Sequence, residues 1–150
     1  MVLLDTNVFM IDRFFPRDPR FAINRQLLDR LGEIDAGLSH FSLLELCGIA
    51  SFNLSAIELN RWLFAFEQIY PIRIVTPRGL SNETAADAWF VNFTVAVMSR
   101  IARQSTWGDA VIVLAAEEFG ATSIITWNPR HFVGRTSTPV YTPESFLKAA

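Results

Sequence analysis

Asp5, Glu45, Asp109 and Asn128 are the residues of this 150-residue chain whose types and settings could do chemistry. Met1-Val2-Leu3-Leu4 is an apolar run that stops at Asp5-Thr6-Asn7, which predicts a buried strand with a carboxylate at its end. A carboxylate there is costly to desolvate unless something positive meets it, although an aspartate can equally cap the turn or helix that follows. Glu45 is hemmed in by Leu43, Leu44 and Leu46. That is odd for a merely solvated glutamate, but an acid in a helix's first turn, facing its dipole, would look the same. Asp109 is the only charge before Glu117 in an otherwise apolar helical stretch, and Asn128 follows the run Ser123-Ile124-Ile125-Thr126. Carboxylates sharing one pocket repel and raise one another's pKa unless a cation intervenes. Only His40, His131 and Cys47 could offer softer ligands. Hard oxygen donors without a His or Cys cluster point to Mg²⁺ or Mn²⁺, ions that commonly act on phosphates.

The elements that must position these groups follow from the chain in order. Val8 to Phe21 carries two prolines and adjacent aromatics and reads as a loop, with Asp18-Pro19 opening a helix to Leu31. Leu38-Ser39 predicts a short strand, followed by a helix from Ser39 or Ser42 that contains Glu45. Ser55-Ala56-Ile57-Glu58 is a capping box for a helix to Tyr70, with Trp62, Phe66 and Ile69 on one stripe. Ile72 to Val75 is a third strand, ended by Pro77 and Gly79. Ser81 or Asn82 caps a long helix to Arg103, whose aromatic stripe (Trp89, Phe90, Phe93) reads as core or as a partner face. The Asp109 helix closes at Gly120. Ser123 to Thr126 and Val140-Tyr141 are the last strands, and Thr142-Pro143-Glu144 starts a final helix.

This alternation predicts an α/β fold: a central parallel sheet of about five short strands with helices on both faces, in one domain spanning 1–150. A crossover helix starts at the carboxyl edge of the strands. Asp5 and Asn128 after strands, and Glu45 and Asp109 early in helices, therefore belong at one edge.

Composition sets further bounds. Fifty-one per cent of the residues are hydrophobic, which implies a filled core plus apolar surface for a partner. No apolar run reaches membrane-spanning length, and the first residues lack a basic leader, so no membrane association is expected. A single cysteine permits no internal disulfide and suggests the cytoplasm. The net charge of −2 gives no global attraction for nucleic acid, so any polyanion must be held by local arginines or by metal. Arg13, Arg17, Arg100, Arg103 and Arg130 are the candidates.

Leu4-Asp5-Thr6-Asn7, Ser39 through Glu45-Leu46, Gly108-Asp109-Ala110 and Ile125 through Phe132 resemble, in order and spacing, the successive motifs of PIN-domain ribonucleases. Val140 through Leu147 resembles the family's closing strand and helix. The compact length is similar to that of the VapC-type toxins of bacterial toxin–antitoxin pairs. The resemblance implies a PIN-like domain with Mg²⁺- or Mn²⁺-dependent endoribonuclease activity, a homodimer and a cognate antitoxin. Asp5, Glu45 and Asp109 take the three acidic positions, with Asp5 and Asp109 as metal ligands. Asn128 stands where many members have a fourth aspartate, a departure that weakens a second metal site more than the first. Thr126 could orient Asp5, or be merely structural. Asp12, Asp87, Glu117 and Glu118 match no motif and read as solvated or capping residues.

Three functions of different kinds remain. The first is a toxin-like endonuclease for single-stranded or loop RNA, inhibited by a partner. The second is a degenerate PIN domain that binds RNA or protein without cutting. The third is a phosphohydrolase of small substrates. Aspartyl-phosphate enzymes usually need a second aspartate two positions after the first and a lysine near a later strand. Asn7 holds that position here, and Lys148 is the only lysine.

Overall fold

A computed structural model describes residues 1–76 and 86–149. Five strands, β1 (Val2–Leu4), β2 (Ala36–Ser39), β3 (Arg73–Val75), β4 (Ser123–Ile125) and β5 (Val140–Tyr141), form one sheet in the order β3-β2-β1-β4-β5. Every pairing is parallel. The α/β architecture expected from the sequence is therefore the one observed. The expected turn at Pro77 and Gly79, and the cap at Ser81 or Asn82, lie outside the described residues.

Seven helices flank the sheet among the described residues: α1 (Thr6–Phe14), α2 (Phe21–Asp29), α3 (His40–Ala50), α4 (Ala56–Ile69), α5 (Ala86–Ile101), α6 (Trp107–Glu118) and α7 (Pro143–Ala149). Strand side chains alternate between faces, so β1 feeds two cores at once. Val2 and Leu4 pack with Phe9 of α1, Leu27 of α2, Leu43 and Leu46 of α3, and Trp62 and Phe66 of α4. Leu3 points the other way, to Ile112, Val113 and Ala116 of α6 and to Phe132. Each such large buried side chain contributes about 1.5–3 kcal/mol, so β1 is fixed from both sides.

The first loop differs from expectation. Residues 6–14 are helical, because Val8, Phe9 and Ile11 form a buried face and the prolines, at 16 and 19, come only after the helix has ended. Asp18 does not cap α2, which begins at Phe21; it pairs with Arg20 instead. The capping box at Ser55 and Glu58 is formed, and α4 kinks at Ala65. The stripe on α5 is core in part: Val97 is buried with Phe93 and Ile101 packed against it, while Phe90 on the stripe and Val91, Val95 and Met98 beside it are exposed. Its inner side meets Ala110 and Val111 of α6 rather than the sheet. Asp12 is also not simply solvated. It accepts a hydrogen bond from the Tyr70 hydroxyl at 2.6 Å and pairs with Arg25 at 3.1 Å.

No helix among the described residues is long and apolar enough to cross a membrane.

Candidate functional site

Strand order makes a crevice. From β1 the chain fills the sheet on one side with β2 and β3, then returns to place β4 and β5 on the other. The carboxyl ends of β1 and β4 thus flank a topological switch point, where parallel α/β sheets bind ligands. A pocket opens there, lined by Asp5, Thr6, Asn7, Glu45, Thr106, Gly108, Asp109, Ile112, Asn128 and His131. All four residues singled out from the sequence reach it.

Asp5 follows β1 directly and occupies the N-cap position of α1, yet its side chain makes no capping hydrogen bond. The carboxylate faces the pocket floor instead. Its Oδ1 accepts from the Thr6 hydroxyl at 3.0 Å, and its Oδ2 accepts from the Thr126 hydroxyl and the Asn7 side-chain amide, both at 2.6 Å. The capping alternative is thereby answered, and Thr126 orients Asp5.

Asn7 was not recognised as a site residue. Its amide nitrogen also donates to Thr126 Oγ1 at 3.0 Å, and its Oδ1 accepts the Trp127 backbone N–H at 3.1 Å. It staples the end of β1 to the end of β4. The nearest sequence signal was its place in the Asp5-Thr6-Asn7 motif. Thr126 Oγ1 further accepts the Asn128 backbone N–H at 2.9 Å, which fixes the turn carrying Asn128 into the pocket.

Glu45 sits in the second turn of α3, whose first turn holds no acid, so a dipole role at the helix start does not account for it. Its carboxylate passes close to Gly108: a Cβ built on that glycine would stand 2.8 Å from Glu45 Oε1. Asp109 lies in the first turn of α6. Thr106 is the N-cap there, accepting from the Asp109 backbone N–H at 3.2 Å and donating its hydroxyl to Asp109 Oδ2 at 2.8 Å. His131 Nδ1 stands 3.5 Å from the same carboxylate oxygen.

The electrostatics follow from this crowding. Burial raises the Asp5 pKa, opposed by hydrogen bonds from the Thr126 and Thr6 hydroxyls, with the Asp109 charge adding to the rise. Burial likewise raises Glu45, helped by the charges of Asp5 and Asp109 and opposed by the Thr6 hydroxyl. Three carboxylates lining one pocket are an oxygen-rich donor set of the kind that suits a hard divalent ion. Among the described residues no three acid, histidine or cysteine groups converge tightly enough to enclose one ion.

Of the arginines considered for phosphate, Arg100 is occupied: it pairs with Glu117 and donates to the Ala96 carbonyl. Arg13 lies over the Trp62 ring on the α1–α4 side. Arg103 and Arg130 are exposed.

Fold and pocket together give the architecture that the PIN-domain resemblance implied. Among solved structures the chain is similar to FitAcB from Neisseria gonorrhoeae, with a TM-score of 0.60 and 21% identity over 96% of this chain and 99% of that one. At that identity the likeness shows the fold alone. No protein-family model matches the sequence, and no curated protein does.

Proposed function

We propose that the chain is a Mg²⁺- or Mn²⁺-dependent endoribonuclease of PIN type, cutting single-stranded or loop RNA, and the toxin member of a pair with a protein antitoxin. The observation that carries this reading is the gathering of Asp5, Glu45 and Asp109 in one pocket at the switch point of the sheet. The fold likeness and the motif resemblance support it.

Asp5 and Asp109 would hold the metal, each already oriented by a threonine hydroxyl. When bound, the ion supplies charge neutralisation at the phosphoryl oxygens and a nucleophile at neutral pH. Glu45, whose raised pKa makes its ionised carboxylate a stronger base, takes the proton of the attacking water at an Oε atom. Asn128 contributes a neutral amide oxygen or N–H to position water or phosphate. Single strands are favoured because a duplex is stiff and cannot bend its backbone into the pocket. The exposed apolar side of α5 would be covered by a second copy of the chain, and the antitoxin would add a further apolar or amphipathic segment.

The test is cleavage of a mixed RNA pool by wild type and Glu45→Gln purified side by side. Wild type should cut loops in Mn²⁺ or Mg²⁺ and not in EDTA, and Glu45→Gln should be inactive but folded. Equal cutting by both would expose a contaminating nuclease and leave the reading without support.

The neutral amide of Asn128 favours a second reading, a binding module that holds RNA without cutting. Asn128→Asp and Asn128→Leu separate the two. For a nuclease the first retains or improves metal binding and the second impairs cleavage. Silence of wild type under every metal, with RNA binding intact, would establish the binding module.

A further inference from the structure

Trp107 is flanked in sequence by two residues that line the pocket, Thr106 and Gly108, yet its own side chain is 47% exposed. An indole left half in solvent between two residues that line a polar pocket is unusual, because Trp is normally well buried. It is also braced. Phe41 lies across it at 82° with ring centroids 6.0 Å apart; Phe41 in turn stacks on Phe93 at 4.9 Å, and Phe93 on Trp89 at 5.1 Å. The indole is therefore held from behind by an aromatic column joining α3, α5 and α6.

The Arg135 guanidinium bonds three backbone carbonyls: Arg103 at 3.2 Å, Arg130 at 3.2 Å and His131 at 2.6 Å. One side chain thus ties the segment after α5 to the turn at Pro129–His131. The backbones of Arg103 and Arg130 are thereby tied to the turn carrying His131, whose imidazole stands 3.5 Å from the Asp109 carboxylate, and both arginine side chains are exposed. A braced aromatic face next to arginines, at the edge of a phosphodiester pocket, has the chemistry of a single-strand site, in which bases stack on aromatic rings while cations track the backbone.

We infer that Trp107 is the stacking platform for a base of the RNA strand in the pocket, with Arg103 and Arg130 meeting the phosphates beside it. The inference rests on the RNA reading of the pocket, and base identity is read weakly, since every base offers a π-face. Cleavage should therefore show a preference for strongly stacking bases rather than a strict sequence.

The test uses binding, so it does not depend on cleavage. In a Glu45→Gln background, a labelled single-stranded oligoribonucleotide is titrated by anisotropy and by tryptophan fluorescence in Mg²⁺. Trp107→Leu, which keeps apolar packing on Phe41 but has no π-face, should weaken binding about tenfold without altering the salt slope. Trp107→Phe should recover most of the affinity while losing the quench that RNA produces in the parent. Arg130→Ala should lower the salt slope by about one contact. Equal affinity of Trp107→Leu and its parent would overturn the inference and leave the nuclease reading standing. A change in sedimentation of Trp107→Leu with RNA affinity unchanged would assign the indole to self-association and overturn it too. Failure of the parent to bind any strand would overturn the RNA reading itself, and this inference with it.

Discussion

Thr126 Oγ1 donates a 2.6 Å hydrogen bond to Asp5 Oδ2 across 121 positions of sequence, from the end of β4 to the end of β1. The same hydroxyl oxygen accepts the Asn7 side-chain amide and the Asn128 backbone N–H. One threonine therefore sets the angle of one acid and the entry of the turn bearing Asn128. Thr126→Val keeps the shape and removes these bonds. The change should lower metal affinity or cleavage by about 10–100-fold and destabilise the fold by about 1–3 kcal/mol, because the buried Asp5 carboxylate loses a donor and the part-buried Asn128 N–H loses its acceptor. Thr126→Ser should behave nearly as wild type. Calorimetric titration with Mn²⁺ and denaturant unfolding of both variants would check this, and a Thr126→Val protein with unaltered metal affinity would show that Asp5 does not need the contact.

Gly108 stands against Glu45 rather than at a bend in the chain. A methyl group there would meet the Glu45 carboxylate at 2.8 Å, while the neighbour is the movable end of a side chain and not backbone. Gly108→Ala should thus cost little stability and a large share of activity, with kcat falling more than KM rises. Alanine also favours the helix, so Tm should hold or increase slightly. Kinetics beside a thermal melt decide the matter; full activity would mean that Glu45 can step aside without loss.

The raised carboxyls of Asp5 and Glu45 make stability depend on pH and metal in a stated direction. A carboxyl whose pKa rises on folding binds its proton more tightly in the native state. It favours folding below its ordinary pKa, and that advantage disappears as pH climbs through the raised value. In EDTA at pH 7 both groups therefore oppose folding, and Glu45→Gln should raise Tm, by about 2–4 °C for each 1 kcal/mol relieved. Mn²⁺ should raise the Tm of wild type by linkage and do so less for Asp5→Asn/Asp109→Asn. Melts across pH 4–8 with and without metal test both signs, and an identical Mn²⁺ response in the double variant would place the metal elsewhere.

Exposed Phe90, Val91, Val95 and Met98 on α5 make a further expectation concrete. The chain should sediment as a dimer at micromolar concentration, and Val95→Glu with Met98→Glu should give a folded monomer. A clean wild-type monomer would remove the homodimer from the account.

The sequence made some of these relations readable and hid others for physical reasons. Strand ends and helix starts share an edge in any parallel α/β sheet, so the meeting of Asp5, Glu45, Asp109 and Asn128 followed from alternation alone. The sequence does not single out Asn7 because its partners, Thr126 and Trp127, follow a strand whose pairing with β1 is a tertiary fact. Asp12 was misread for the same reason, its Tyr70 partner being 58 positions away. Helix α1 was taken for a loop since Pro16 and Pro19 dominate the local signal, although neither lies inside it. The α5 stripe was ambiguous because periodicity reports an apolar face, not what covers it. In the structure α6 already fills the second side of the sheet, and α5 is left to pack on α6.

The place of β4 beside β1 has a consequence for synthesis. A ribosome makes Asp5 first, and the acid then waits while β2, α3 and most of the chain follow. Its hydroxyl partner is residue 126, and the neighbouring strand that carries it spans 123–125. Until those residues leave the exit tunnel, β1 has one free edge and the acid has only its local contacts. A nascent chain, or one cut short anywhere before the turn at Asn128, therefore carries no finished pocket. Under the toxin reading proposed above, translation itself would withhold the finished pocket until residue 128 has been made.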